Sequence, residues 1–323
     1  MTSTFVRGLA AGALGAVVLD AVNHLDMAVR GRPASAVPGR LVDAAAAAVE
    51  RDVPGRGEAR RNRRSALGAL AGIGNGLGTG VLASALRSAG VRLPAPVGAV
   101  VAGATSMALT DGAVAGLGVD DPRRWTRQEW LADVVPHLAY GAAVQTVLES
   151  VPTEAERARP VRPAGAGLTA RSFVLGVAAG GRSALGLAGP ALTAPARAGA
   201  PGRRSVPTRL LSLAALAGEL VVDKQPATPA RTEPGALAGR LGSAAVGGAA
   251  LAGRERANGA LPVLAAAAGG VVGSFGGLRW RRWAGERMPD LRAALLEDAA
   301  AIGLAALACL PGRSARPLVA VPR

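Results

Sequence analysis

Nine apolar stretches of spanning or near-spanning length limit what this chain can fold into. They fall at about 6–28, 65–87, 94–117, 131–149, 168–194, 208–222, 235–253, 260–278 and 291–310. A helix needs about 20 apolar residues to cross a hydrocarbon core of about 30 Å. The sequence therefore predicts an all-α fold, a polytopic integral membrane protein.

The residue types within these stretches also favour a membrane protein. Half of the chain is hydrophobic but only 2% is aromatic, so small and aliphatic residues supply the apolar surface. A soluble core usually needs bulky side chains to reach native packing density. Membrane helices instead use small residues to approach one another closely. A soluble, alanine-rich helical protein is the alternative, because the mean hydropathy is only +0.30.

A polar, proline-rich break without helical periodicity divides the chain at 150–167. We expect two fused helical bundles of roughly four and five membrane segments on either side of it. The predicted parts are a four-helix membrane domain at 1–150, a linker at 151–167, a glycine-rich helical membrane domain with a charged hairpin at 168–311, and a basic tail at 312–323.

Arginine placement predicts the orientation in the membrane. The net charge is +15, and the connection at 30–64, with a short predicted helix over 41–50, holds nine arginines against four acidic residues. Basic loops stay in the cytoplasm and attract anionic lipid, so Met1 is expected to face outward. Because the arginines lie between apolar runs and not on one exposed face, we expect the lipid bilayer as partner and no nucleic acid.

Strict alternation from that start would place the arginines of 279–287 outside the membrane. One segment after residue 168 is therefore predicted not to span fully. The best candidate is 208–222, which is short and runs into a charged, proline-rich turn. A re-entrant segment of this kind is tolerated where it is buried in protein or lines a cavity.

Small residues recur at every fourth position on three predicted helices. These ladders are Gly68, Gly72, Gly76, Gly80 and Ser84; Gly235, Gly239, Ser243 and Gly247; and Gly269, Gly273 and Gly277. Residues four apart share a helix face, and such faces allow close helix packing. The ladders indicate packing inside one bundle or, alternatively, glycine-zipper assembly of a homo-oligomer.

Polar residues at the same spacing form a secondary stripe in the first half. It comprises Asp20, His24, Asp111, Asp133, His137 and Gln145. Each of the two histidines follows an aspartate by four residues, so a carboxylate can orient the imidazole. Three interpretations compete: local pairs, a proton or cation relay, and a metal site that includes His24 and His137.

The second half holds a denser set of charges near apolar helices. The candidates for an ion or substrate path, or for a charge network, are Arg182, Ser183, Glu219, Asp223, Lys224, Arg231, Arg240, Glu297 and Asp298. Paired glycines before Arg182 permit an irregular backbone there. Charges in membrane helices are costly unless they pair or function. A salt-bridge network that locks the hairpin is the alternative to a path.

Catalytic and cofactor motifs are missing from the sequence. Cys309 is the only cysteine, which excludes a disulfide framework and a thiolate metal cluster. The chain also lacks a Walker A motif, GxGxxG, GxSxG and HExxH. We therefore expect no cofactor, and a function other than catalysis.

The second half resembles a bacterial membrane-protein family catalogued as domain of unknown function four-one-two-six. The matching elements are GGRSAL at 180–185, ELVVDKQPATPART at 219–232, GRLGSAAVGGAALAG at 239–253, GSFGGLRWRR at 273–282 and LLEDAAAIG at 295–303. The resemblance implies an integral membrane domain and no particular activity. Its implied signature positions are Arg182, Glu219, Asp223, Lys224, Arg231, Glu297 and Asp298. Gln225 departs from the leucine or isoleucine expected there.

The first half is similar to membrane proteins of high-GC bacteria in LDMAVRGRPAS and DVVPHLAYG. Together the resemblances imply a multi-pass protein of a bacterial inner membrane. The leading hypothesis for function is passage of a small solute or ion through the second domain. The alternative is a non-catalytic membrane scaffold or assembly factor whose buried charges are structural.

Overall fold

The computed structural model describes residues 3–158, 160–195, 204–222 and 232–310. Throughout those ranges the fold is all-helical, with twelve α-helices, one short 3-10 turn and no strand beyond a single bridge between Arg162 and Ala257. The backbone contacts divide the chain into unit 1, residues 1–159, and unit 2, residues 160–323.

Unit 1 is built on four long helices and two short ones. Its helices are α1 (Thr4–Arg30), α2 (Val37–Ala48), α3 (Gly57–Ser88), α4 (Ala95–Gly116), α5 (Arg127–Ser150) and α6 (Glu154–Ala158). Helix α1 packs against α3 and α5, and α4 packs against α5. Local signals set their starts: the Ser3 hydroxyl caps α1, and Thr126 with Glu129 forms a capping box on α5.

Close approach of α1 and α3 explains the later part of the first glycine ladder, whereas Gly68 meets Pro38 of α2 and Gly72 faces open space. A Cβ atom on Gly12 would lie 2.5 Å from the Gly76 carbonyl oxygen, and one on Gly80 would lie 2.5 Å from the Gly12 nitrogen. Only glycine fits at such a contact without displacing backbone. These glycines therefore pack two helices of the same chain, and assembly of a homo-oligomer through such faces stays a prediction.

Unit 2 has α7 near its centre. Its helices are α7 (Ala166–Gly181), α8 (Leu185–Leu192), α9 (Val206–Val222), α10 (Pro234–Arg254), α11 (Ala260–Gly285) and α12 (Asp290–Cys309). Helices α10, α11 and α12 all contact α7. Gly176 and Gly180 of α7 meet the backbone of α11, where Gly269 and Gly273 face them.

The helix bounds correct two sequence predictions. The single run expected over 168–194 is two helices, because the chain leaves helical geometry after Gly181 and resumes it at Leu185. Helix α3 starts at Gly57 and not near 65, so the arginines of 60–64 lie in its first turns. Arginine is a good helix former, and charge alone does not mark a loop.

Within the part of the chain that the structure describes, four helices are long and apolar enough to cross a membrane: α1, α3, α4 and α11. Many large apolar side chains on unit 1 and unit 2 are exposed, including Val29 at 78% and Leu211 at 72%. Apolar surface on this scale fits contact with lipid. The finer count of roughly nine segments stays a prediction.

Candidate functional site

The break between α7 and α8 is the centre of the candidate site in unit 2. Arg182 has extended backbone, with φ −135° and ψ 108°, directly after the Gly180–Gly181 pair. A helix end leaves its last carbonyl groups and its first N–H groups without partners inside the helix. Side chains from other helices supply partners to both ends of this break.

Glu219 of α9 covers the start of α8. Its Oε1 accepts hydrogen bonds from the backbone nitrogen and the hydroxyl of Ser183, both at 2.6 Å, and its Oε2 accepts one from the Ala184 nitrogen at 2.6 Å. The start of a helix carries a partial positive charge and freed N–H donors, which favour a carboxylate. Glu219 is thus an internal anion seated on the second half of the broken helix.

Arg240 of α10 covers the end of α7. Its Nη1 donates to the carbonyl oxygens of Gly180 at 3.0 Å and Gly181 at 2.9 Å, and the residue is buried. The end of a helix carries a partial negative charge, which favours a cation. The hydroxyl of Ser243, one turn further along α10, donates to the Ser183 carbonyl oxygen within the break. The end of α7 and the start of α8 are therefore each bonded to a side chain whose charge is opposite to the partial charge of that helix end.

A buried ion pair lies at the same break. The Arg182 guanidinium contacts Asp298 Oδ1 through Nε at 2.6 Å and Nη2 at 2.5 Å, and Nη2 lies 4.0 Å from Glu297 Oε2. All three side chains are almost fully buried. Burying such a pair is costly, and only close hydrogen-bonded geometry offsets the loss of hydration. Asp298 therefore ties α12 to the break.

A cavity reaches the break from the side of α8, α9 and α10. It has a volume of about 470 Å³ and is bounded by Ala184, Leu187, Arg204, Leu211 and Val246, among others. Ala184 both lines this cavity and donates its N–H to Glu219. The cavity therefore reaches Ala184, one of the two residues whose N–H groups Glu219 binds, while Glu219 itself does not line it.

Six of the nine residues predicted for this region converge on the break. They are Arg182, Ser183, Glu219, Arg240, Glu297 and Asp298. The other three, Asp223, Lys224 and Arg231, lie outside the described residues.

The polar stripe of unit 1 divides into two parts. The His137 Nδ1 lies 3.4 Å from Asp133 Oδ1 and 2.9 Å from the Asp133 carbonyl oxygen, and Asp111 of α4 lies close enough to interact with both. His24 and Asp20 are exposed, and the His24 Nδ1 lies 2.7 Å from the Asp20 carbonyl oxygen.

Gln145, further along α5, donates to Glu149 at 2.8 Å and is buried. Across the described ranges, no group of three or more histidine, cysteine, aspartate or glutamate side chains is arranged to hold a metal ion. His24 and His137 each form a contact within their own helix, and Asp111 adds a contact between helices to the second of them. The three interpretations of the stripe stay predictions.

Sequence reasoning missed a buried ion pair in unit 1. Arg7 of α1 is 1% exposed and contacts Glu156 of α6 with both terminal nitrogens, at 2.9 Å and 2.7 Å. It also donates from Nε to the Ser84 hydroxyl at 3.0 Å and from Nη1 to the Val151 carbonyl oxygen at 3.3 Å. The pair ties the start of α1 to the ends of α3 and α5.

The position of Arg7 was a usable signal. It lies two residues into a spanning-length apolar run, and a charge there needs a partner. Glu156 was not identifiable, because it lies in the polar break 149 residues away. Burial raises the pKa of Glu156, but hydrogen bonds from Arg7 and its positive charge act more strongly in the opposite direction, so the pKa is lowered overall.

No protein-family model, curated protein or solved structure matches this chain. The resemblance of its second half to a membrane family of unknown function therefore stays a prediction. Function has to be argued from the geometry of the interrupted helix and from the apolar helices around it.

Proposed function

We propose that this chain is a multi-pass protein of a bacterial inner membrane, and that its second unit passes a small ion or solute beside the interrupted helix. The observation that carries the proposal is the break between α7 and α8, whose two ends are covered by Arg240 and Glu219. Membrane transporters commonly build their binding sites from discontinuous helices.

Several features support the membrane part of the proposal. Four helices meet the length and hydropathy of membrane spans, and large apolar side chains cover the described surface. The basic segment at 30–64 follows α1 and continues into the first turns of α3, and basic residues near the ends of spans favour the cytoplasmic side. Helix length, side-chain exposure and charge are separate properties, and all three support a membrane protein.

The chemistry of the break supports a path for charge. Arg182, Arg240, Glu219 and Asp298 place two cations and two carboxylates around backbone that no longer bonds within its own helix. A proton or cation that enters the 470 Å³ cavity competes with the N–H groups of Ser183 and Ala184 for the Glu219 oxygens. Loss of that contact frees the start of α8, which couples ion entry to helix movement.

The test is ion flux into liposomes that contain the purified chain. Imposed gradients of protons, potassium and chloride are followed with fluorescent indicators, against empty vesicles from the same lipid. We expect flux of one of these ions in the wild type, and vesicle-leak levels with Glu219→Gln. The control is Glu286→Gln, a change at a side chain that is 75% exposed just beyond α11. Wild-type flux no greater than empty-vesicle leak for all three ions would contradict the proposal.

A membrane scaffold is the second candidate, and the completeness of the contacts favours it. Both oxygens of Glu219 accept hydrogen bonds, and Arg182 binds Asp298 directly, as expected of a brace that holds α8, α9 and α12 together. For a scaffold, Glu219→Gln lowers the amount of folded protein in the membrane, and the wild type carries no flux. Normal abundance of the variant with lost flux separates transport from this alternative.

A further inference from the structure

A groove between α2, α3 and α4 of unit 1 has the character of a hydrocarbon site. Its volume is about 490 Å³, within the range of roughly 300–1,000 Å³ that small-molecule sites occupy. Leu41 and Val42 of α2 form one wall, and Leu109 and Leu117 of α4 form another. Gly72 of α3 forms part of the floor, where nothing lies within 4 Å of a Cβ position.

The two polar side chains that line this groove bond to each other. Asn75 Nδ2 donates to the Thr110 hydroxyl at 2.9 Å and to the Ser106 carbonyl oxygen at 2.9 Å. These hydrogen bonds link α3 to α4 and do not point into the groove. The wall next to the groove is therefore suited to an apolar occupant.

Three arginines lie near lining residues at one end of the groove: Arg40 directly precedes Leu41, and Arg64 and Arg60 lie one and two turns before Gly68. Arg60 and Arg64 in the first turns of α3 each donate to Asp43 of α2 at 3.0 Å, and Arg40 donates to Asp120 at 3.4 Å. Three cations against two carboxylates leave this rim positive. A guanidinium has five N–H donors, so a phosphate can share these arginines with the aspartates.

The distance from the arginines to the far end of the groove matches one leaflet of a bilayer. Helix α3 has 32 residues, about 48 Å of helix against a hydrocarbon core of about 30 Å, so it extends past the core. The span from Arg64 to Asn75 covers about 16 Å of that helix, roughly half of the core. An acyl chain in the groove therefore has its headgroup at the level of the arginines.

We propose that this groove binds one anionic phospholipid, with an acyl chain between α2, α3 and α4 and its phosphate at Arg40, Arg60 and Arg64. Charge complementarity selects the headgroup, because basic residues at a membrane surface attract anionic lipid. The apolar walls select the acyl chain. The proposal concerns unit 1 and does not depend on transport by unit 2.

The first test measures lipid retained by the detergent-purified chain in native mass spectrometry. The protein is exchanged into micelles with equal amounts of phosphatidylglycerol and phosphatidylcholine of the same acyl chains. Gly72→Phe fills the groove, whereas the control Gly74→Phe adds the same ring to α3 at a position that also has open space and does not line it. We expect one retained phosphatidylglycerol in the wild type and in the control, and its loss in Gly72→Phe.

The second test concerns the headgroup. The double variant Arg60→Gln/Arg64→Gln should bind phosphatidylglycerol and phosphatidylcholine equally, while Arg61→Gln/Arg63→Gln, with the same charge change on the same helix, should keep the anionic preference. Retention of phosphatidylglycerol by Gly72→Phe at the wild-type level would overturn the groove as the site. An anionic preference that survives in Arg60→Gln/Arg64→Gln would overturn the assignment of the phosphate.

Discussion

Units 1 and 2 both bury an arginine paired with a carboxylate, but at different places on their helices. In unit 1, Arg7 pairs with Glu156 where α3 and α5 end, and each of its long helices is continuous. In unit 2, Arg182 pairs with Asp298 in the middle of a helical stretch, where α7 stops and α8 begins. The same kind of ion pair therefore joins the ends of helices in unit 1 and lies at a helix break in unit 2.

The two buried charge clusters differ in the hydrogen-bonding groups that they contact. Arg7 bonds mainly to side chains and to carbonyl groups at helix ends, where partners would be needed in any case. At the break of unit 2, Glu219 and Arg240 bond to backbone groups that an unbroken helix would satisfy by itself. We therefore interpret the buried charge of unit 1 as a brace between helix ends and that of unit 2 as the support of an interrupted helix.

Removal of Arg7 should have the largest effect on stability. Arg7→Ala leaves Glu156 buried without its main partner, and we expect the free energy of unfolding to fall by about 3–5 kcal/mol. Denaturant unfolding in mild detergent, followed by tryptophan fluorescence, measures this loss. Arg30→Ala on the same helix is the control, because its half-exposed ion pair is worth under about 1 kcal/mol.

The Arg7→Ala variant also tests whether the ion pairs of the two units act independently. Ion flux per folded molecule should be unchanged in Arg7→Ala, because the variant alters a brace in unit 1 and no group at the break of unit 2. Loss of flux together with intact folding would show that the two ion pairs do not have separate tasks.

Glycine replacements should have intermediate effects and test packing in each unit separately. A Cβ atom at Gly80 or Gly180 would overlap the backbone of the facing helix, so Gly80→Ala and Gly180→Ala should each cost about 1–3 kcal/mol. The matched controls Gly78→Ala and Gly167→Ala lie on the same helices in open space, and should stabilise by up to about 1 kcal/mol. Thermal unfolding of the four variants gives the comparison, and equal results within a helix would contradict close packing there.

Acidification should lower the stability of unit 1 through protonation of Glu156, by less than the Arg7 and glycine replacements do. The pKa of Glu156 in the folded chain lies below its ordinary value of 4.5 because of Arg7. The ionised form is therefore favoured by folding, so its contribution is complete above the ordinary pKa and is lost as the pH falls through the lowered one. We expect the stability difference between wild type and Glu156→Gln to narrow on going from about pH 7 to about pH 3. A difference that stays constant over this range would show that the carboxylate charge contributes nothing.

Most helix bounds could be predicted to within a few residues. The stretch expected at 235–253 is Pro234–Arg254, with Pro234 in the first turn as the sequence indicated. The glycine pair before Arg182, which permits irregular backbone, is where α7 ends, although a single run over 168–194 was expected. Predictions of this kind succeed because apolar periodicity, proline and glycine act over one or two turns of the chain.

Partners across the bundles could not be predicted in the same way. Glu297 and Asp298 are neighbours in sequence, but Asp298 makes the close contact with Arg182 and Glu297 lies 4.0 Å away. Successive residues point about 100° apart on a helix, so the choice between them depends on how α12 is rotated against α7. Spacing along one helix contains no information about that rotation.

The sequence by itself determined that this chain is helical and apolar, that charges lie beside its membrane-type helices, and that the glycines before Arg182 permit irregular backbone. The tertiary structure decided that Glu219 and Arg240 cover the two ends of that break and that Arg7 finds Glu156. Local sequence signals define the individual helices, because helix propensity depends on residues within a few positions. Long-range pairs depend on helix rotation and packing, which emerge only when the small-residue faces of separate helices come together.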